Sequence, residues 1–557
     1  MEPSRRDAEL PEYALIERQE MLRGIGYGDE ALRRIQVGVA NTWGEINPAA
    51  VHLNRVTQAV KAGVWAAGGT PREFVVSSVC TSMAGDDRFL LPYRDVAAAY
   101  IETVAAANLF DAMVFVPVCD DVIPGHLMAA ARLDLPSVVV TGGYMTLNRW
   151  DGRPVDPLQV AAGHFMDYQE GRIDAGEFGE IEDRGCAGGG ACPVMGTANT
   201  MAALAEALGM SLPGNATTPG ADSRLLRIGF EAGRMAVELH RHGITPSRIM
   251  TPGAFENAVR VLMAVGGSTN GVLHLQAIAS ELGLEIRPRT FNQLSAETPL
   301  ICDIAPSGSG CNYLADLDQA GGIQAVMQEL SPLLHTDVLT VTGKLLAHNL
   351  QAARVRDRNV IRPLDEPLAA EGGLHFLSGS LAPKGALVKT SAVPKPLVRH
   401  RGPARIFATE EHACEALAAG ALLPGDVVVV RYAGPKGDPG MRLLQRFLWQ
   451  LAARGLHDRV AFVTDGRISG TNKGCAITQV DPEAAEGGPL SIVRDGDVIA
   501  IDIPARTLEL EVPVEEVARR IGAWQPPAPR ARKGYLSVYA RLAKSANSGA
   551  ALDYGSG

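Results

Sequence analysis

Between positions 35 and 141 short apolar runs alternate with polar turns and helix-like segments, and this alternation restricts the fold more than any other feature of the chain. Residues 35–40, 74–79, 113–118 and 137–141 read as strands, while 52–67, 96–109 and the stretch from His126 to Leu133 carry apolar residues at helical spacing. Such an order predicts an α/β domain with a largely parallel sheet and helices on its faces. The third of these strands runs into Cys119-Asp120-Asp121-Val122-Ile123-Pro124-Gly125. A buried strand ending in a thiol and two carboxylates brings soft and hard ligands to the carboxyl edge of a sheet, where α/β proteins place their sites. Read locally, the same residues also serve as a helix cap and a small buried hydrophobe.

At 557 residues the chain exceeds what one core organises, so two domains are expected, 1–375 and 376–557. The boundary follows a charged stretch, 351–373, that ends in Glu371-Gly372-Gly373. Beyond it the pattern changes to short β-rich runs at 404–407, 426–432, 461–464, 490–493, 498–503 and 507–512, with helices at 410–418, 441–453 and 514–520. This predicts a β-rich, barrel-like second domain with a cleft between the two, and a docked C-terminal helix at 535–542.

A net charge of −10 argues against a nucleic-acid partner, which calls for a basic face. The N-terminus lacks a signal-peptide core and no uncharged apolar run reaches about 18 residues, so a cytoplasmic protein without a membrane partner is expected. The 8 cysteines do not follow a small-domain disulfide spacing and are read as core residues, metal ligands or reactive thiols. Three glycine-rich loops precede helices: Gly185 to Gly196, Gly266-Gly267-Ser268-Thr269-Asn270-Gly271, and Ser307-Gly308-Ser309-Gly310. Each offers free amides and hydroxyls to an anion, or simply caps its helix.

Ordered motifs along nearly the whole chain carry a resemblance. They include Gly38-Val39-Ala40-Asn41-Thr42-Trp43, Cys119-Asp120 with Pro124-Gly125, Ala191-Cys192 with Thr197-Ala198-Asn199-Thr200-Met201, and Gly266-Gly267-Ser268-Thr269-Asn270. Further on they include Tyr432-Ala433-Gly434-Pro435-Lys436-Gly437, Thr464-Asp465-Gly466-Arg467-Ile468-Ser469-Gly470, Pro482-Glu483-Ala484 and Lys533-Gly534-Tyr535-Leu536. With these the chain resembles the dihydroxy-acid dehydratase and 6-phosphogluconate dehydratase family, which also includes sugar-acid dehydratases. The resemblance implies a hydro-lyase that turns a 2,3-dihydroxy acid, sugar or branched-chain, into a 2-keto acid. It implies an iron–sulfur cluster, [2Fe–2S] or [4Fe–4S], held by three cysteines with one iron acting on the departing hydroxyl. It also implies a magnesium ion that gathers the substrate, a serine that takes the C2 proton, and a homodimer or dimer of dimers.

Carried over residue by residue, Cys119 and Cys192 occupy two cluster positions and Ser469 that of the serine base. The third cysteine position, after Pro48, is Ala49. Asp120 matches a magnesium ligand, but Asp121 stands where the family has a modified lysine, Cys80-Thr81-Ser82-Met83 where it has an aspartate, and Leu443 where it has a glutamate. Cys80 and Cys186 are the candidates for a replacement thiolate. With Cys119, Cys192, Asp120 and Asp121 they compose a candidate mixed sulfur–oxygen site suited to zinc or iron. Two alternatives stand beside the cluster-bearing hydro-lyase: a cluster-free enzyme of the same fold doing a related elimination, and a non-catalytic acid-binding homologue.

Overall fold

A computed structural model describes residues 10–306, 310–468, 470 and 473–555. In the first domain β1 (Ile35–Asn41), β2 (Gly69–Val75), β3 (Ala112–Val116) and β4 (Ser137–Val139) form a sheet in the order β2-β1-β3-β4, and every pair is parallel. Every residue of β3 is buried, as is nearly all of β1, which is why both read as continuous apolar runs rather than alternating ones. The strand expected at 74–79 lies earlier. Its pairing with β1 runs from Ile35 opposite Gly69 to Asn41 opposite Val75, after which the chain peels away toward the turn Thr81–Met83. Hydrophobicity alone does not distinguish the paired half of that run from the buried loop after it.

Helices cover the sheet. Leu53–Ala66 lies so close to Ser223–His242 that a Cβ on Gly63 would stand 1.8 Å from the Phe230 carbonyl oxygen and one on Gly233 2.1 Å from that of Val60. Thr197–Ala207, Pro252–Ala264 and Thr269–Glu281 then build a helical layer with few exposed side chains.

The second domain holds β5 (His375–Leu377), β6 (Gly385–Val388), β7 (Arg399–Phe407), β8 (Val427–Val430), β9 (Ala461–Thr464), β10 (Ala476–Asp481), β11 (Val498–Asp502) and β12 (Thr507–Leu510). They make one nearly barrel-shaped sheet in the order β12-β11-β7-β8-β9-β10-β6-β5. Its centre, β7 to β10, is parallel, with Glu410–Ala418 and Arg446–Ala453 between successive strands. The helices expected at 410–418 and 441–453 are these two crossovers, the second beginning at Arg446, as parallel pairing requires. The run expected as a strand at 490–493 is a 3₁₀ turn, Pro489–Ile492, because Pro489 follows Gly488 and has no amide hydrogen for a ladder.

Buried charges join the two domains. Arg467 Nη1 donates to Asp121 Oδ1 at 3.0 Å and its Nη2 to Oδ2 at 3.3 Å, with both side chains closed to solvent. The Arg467 Nε donates to the Met441 carbonyl oxygen at 2.7 Å. On the other side of Asp121, the His274 Nε2 lies 3.6 Å from Oδ1 and the His274 Nδ1 lies 3.4 Å from Arg94 Nη1. Burial holds His274 neutral. Arg94 pairs with Asp95 at 3.0 Å and donates to the Gly549 carbonyl oxygen, while Asp95 accepts from the Leu552 amide, so the C-terminal segment is latched to the first domain. The expected C-terminal helix, Gly534–Leu542, is docked through Tyr539, whose hydroxyl donates to the Ala550 carbonyl oxygen. No helix among the described residues is long and apolar enough to cross a membrane.

Removing one partner of a fully buried ion pair strands the other charge in low dielectric, at about 3–5 kcal/mol. Arg467→Ala is therefore expected to lower unfolding stability by about that amount, read from denaturant midpoints, and Arg467→Met combined with Asp121→Leu to recover most of it. A change below about 1 kcal/mol in the single variant contradicts the interface role.

Candidate active site at the domain interface

The turn after β3 is strained in a way local sequence reasoning did not foresee. Cys119 takes a left-handed backbone conformation, φ 85°, at a cost of roughly 1–2 kcal/mol for a residue with a Cβ. That twist sends the chain from the sheet edge directly into the helix Val122–Leu133. Asp121 stands at the N-cap position, yet its side chain makes no capping hydrogen bond. Its carboxylate is turned to Arg467 instead, so the capping role expected from its position is not the one it plays. The same ion pair occupies both oxygens that the proposed metal site needs from Asp121.

Cys119 and Cys80 meet. The Cys119 thiol donates to the Cys80 sulfur, which lowers the Cys80 pKa to about 6 and raises that of Cys119 well above the ordinary thiol range. Burial likewise pushes Cys192 up, with the charges of Asp120 and Cys80 adding to it. Asp120 is pushed up to about 7, by burial first and then by the charges of Asp121 and Cys80, while a hydrogen bond from the Ala198 amide acts in the opposite direction. Ala198 belongs to the first turn of Thr197–Ala207, so a helix N-terminus faces this carboxyl. Cys186, the other candidate thiolate, is exposed. The Cys192 loop is tied down by Asn199, whose Nδ2 donates to the carbonyl oxygens of Cys192 at 2.6 Å and Val194 at 2.8 Å.

Ser469 lies outside the described residues, as do Ser307, Gly308 and Ser309 of the third glycine-rich loop. The neighbours of Ser469 in the chain are described. Asn270 Nδ2 donates to the Ile468 carbonyl oxygen at 3.2 Å and to Thr197 Oγ1 at 3.1 Å, and Thr197 Oγ1 bonds Ser268 Oγ at 2.8 Å. A Cβ on Gly470 would meet the Ser268 Cβ at 2.6 Å, so glycine is what lets the two loops touch. The Gly266–Gly271 loop caps its helix, one of its two sequence readings, with Ser268 Oγ accepting from the Asn270 amide at 3.2 Å, and it is also a clamp on the second domain. Arg467, quoted only as part of a motif, is the residue whose role the sequence did not disclose.

Other motif residues organise loops. Asp465 accepts from the amides of Tyr432, Ala433 and Ala484, and Glu483 from those of Lys436 and Gly437. These bonds gather the carboxyl ends of β8, β9 and β10 into one rigid edge facing the first domain.

The donor set differs from the one that the cofactors implied by the resemblance require. Ala49 has the right neighbourhood, its carbonyl oxygen accepting from Gly190 in the Cys192 loop, but it ends in a buried methyl group. Leu443 pairs with Arg467 through a backbone bridge and is 4% exposed. Among the described residues no three His, Cys, Asp or Glu side chains are placed to hold a metal ion together. The residues present do not fit the three-cysteine cluster or the magnesium site, and Asp120 alone keeps its place in the latter. A cavity of about 610 Å³ adjoins the Cys192 loop, lined by Leu158, Val194, Ala305, Tyr313, Leu448 and Trp449 from both domains. Its volume is in the range of small-molecule pockets.

Comparison with known proteins agrees with this architecture. The profile described as dihydroxy-acid/6-phosphogluconate dehydratase N-terminal matches residues 34–349, and the corresponding C-terminal profile matches residues 359–550. The dihydroxy-acid dehydratase of Acetivibrio thermocellus is 47% identical over 540 residues, covering 96% of this chain and 97% of the relative. That of Caldicellulosiruptor saccharolyticus is 46% identical over 542 residues, covering 96% and 97%. That of Moorella thermoacetica is 46% identical over 554 residues, covering 99% and 100%. With both profiles matched in order and similarity running through both domains, the chain belongs to the dihydroxy-acid/6-phosphogluconate dehydratase family and is an enzyme of the hydro-lyase class.

Proposed function

We propose that this enzyme converts a 2,3-dihydroxy acid, branched-chain or sugar-derived, into a 2-keto acid: the Ser469 hydroxyl gives its proton to the Asp120 carboxylate, the alkoxide takes the C2 proton, and the Asp120 acid so formed passes its proton to the departing C3 hydroxyl, which leaves as water. Loss of the C2 proton and of the C3 hydroxyl leaves an enol, which tautomerises to the ketone. The observation that carries this reading is the fixation of the chain on both sides of position 469. Arg467 is bound to Asp121, Ile468 to Asn270, and Gly470 is seated on Ser268, so the described residues on either side of position 469 are held at the contact between the two domains. Preorganised placement of this kind is what general-base catalysis requires.

The departing C3 hydroxyl needs a proton or an electrophile. We assign it to the Asp120 carboxyl, the acid of the turn that Arg467 does not bind. Cys119 and Cys192, whose thiols feel the charge of Asp120, are assigned to substrate contact.

Four positions favour a cluster-free version of this reaction. Ala49, Cys80, Asp121 and Leu443 replace or redirect the groups on which a cluster and a magnesium ion depend. The chemistry is therefore assigned to side chains, and the metal-assisted step expected from the resemblance is left out of it.

Ser469→Ala is expected to reduce 2-keto acid formation by about 10²–10⁴-fold, assayed with 2,3-dihydroxy-3-methylbutanoate and gluconate as the branched and sugar-derived probes. Full retention of turnover removes Ser469 from the mechanism. Protein purified without oxygen is expected to be colourless and to carry no stoichiometric iron or labile sulfide. A brown protein that loses iron and sulfide on Cys119→Ala or Cys192→Ala instead reinstates the metal-assisted reaction, with Cys80 as the third thiolate.

A further inference from the structure

Lys389 follows β6 and is 1% exposed, among the largest side chains that the fold closes off completely. Its Nζ donates to the Gly470 carbonyl oxygen at 2.8 Å, the one hydrogen bond it makes among the described residues. An ammonium carries three donors and strongly resists burial without a counter-ion. Burial alone draws the Lys389 pKa down to about 7. The packed elements explain why no charge opposes this. The following turn, Thr390–Ala392, and the Gly266–Asn270 loop carry no ionisable group. Lys473 is exposed, and Asp481 on β10 lies at the far end of β6, opposite Gly385, whereas Lys389 follows Val388, which faces Ile477.

An apolar side chain of similar length would cost less here, since replacing buried charge by a hydrophobe is often neutral or stabilising. The position explains what the lysine does. Gly470 is the residue after Ser469, and the carbonyl oxygen of Ile468, the residue before it, accepts from Asn270 and Thr269. We propose that Lys389 is a positioning residue for the dehydration, holding Gly470, the residue after the proposed base, through its carbonyl oxygen, while Asn270 holds Ile468, the residue before it. The inference rests on the assignment of Ser469 as base.

The test compares Lys389→Met, Lys389→Gln and Ser469→Ala with the parent enzyme, using hydrogen exchange of the 465–475 segment, kcat and KM for the better of the two probe acids, and the unfolding midpoint. Lys389→Met is expected to keep or raise the midpoint at pH 7, to speed exchange in the segment, and to lower kcat about 100-fold with KM little changed. Lys389→Gln keeps an N–H donor and is expected to fall between the Met variant and the parent in kcat, which maintains the test should the Met variant fold poorly. A lysine whose folded pKa is lowered holds fewer protons folded than unfolded between pH 7 and about 10, so parent stability rises across that window and the advantage of the Met variant shrinks. Unchanged exchange, or a kcat within about twofold of the parent, overturns the role of Lys389. If Ser469→Ala stays active, it is the assignment of the base that fails, and hydrogen exchange still decides whether Lys389 holds the segment.

Discussion

The ion pair between Asp121 and Arg467 is the contact on which the rest of the arrangement depends. It spans two domains, 346 positions apart in the chain, and both side chains are closed to water. Two buried charges of opposite sign are tolerated only when their geometry is good and their remaining donors are satisfied. Both conditions hold here, since Arg467 also reaches the Met441 carbonyl oxygen and Asp121 is flanked by a neutral His274. Because neither charge has an alternative partner of comparable quality, the pair fixes the register of the second domain against the sheet edge of the first.

That register governs the site. Ile468 follows a guanidinium bound to Asp121 and is held by Asn270, and Gly470 meets Ser268 and Lys389. The scaffold of a hydro-lyase is therefore retained around altered donor positions. Asp121 illustrates the exchange most directly: in place of a cation-binding lysine derivative, this chain has a carboxylate committed to holding the domains together. Cys80 illustrates another, where a thiol in hydrogen-bonded contact with Cys119 stands in place of an aspartate.

The strands and helices of the first domain were legible because each has a periodicity that its burial enforces. β3 is apolar throughout since helices cover both its faces, and Leu53–Ala66 shows its buried stripe at helical spacing. Legibility failed where the same residue types serve two structures. Residues 76–79 are as apolar as the strand before them yet belong to a loop, and the run at 490–493 is buried as a 3₁₀ turn. The parallel centre of the second sheet was also missed, because strand direction is set by pairing with residues far along the chain. In the site, Cys119, Asp120 and Cys192 were visible as chemistry-bearing residues in motifs. Arg467 and Lys389 were not, since a cation in a loop carries no local sign that it will be buried.

What the sequence by itself determined was the α/β fold class and the family, both of which reside in residue identity and order. Only the tertiary structure decided what those residues do. Whether Asp121 caps a helix, binds a metal or pairs with Arg467 depends on which partner the fold brings within 3.0 Å, and that partner comes from the other domain. Electrostatic roles fall off steeply with distance and change with burial, so they belong to the assembled molecule and not to the string of residues.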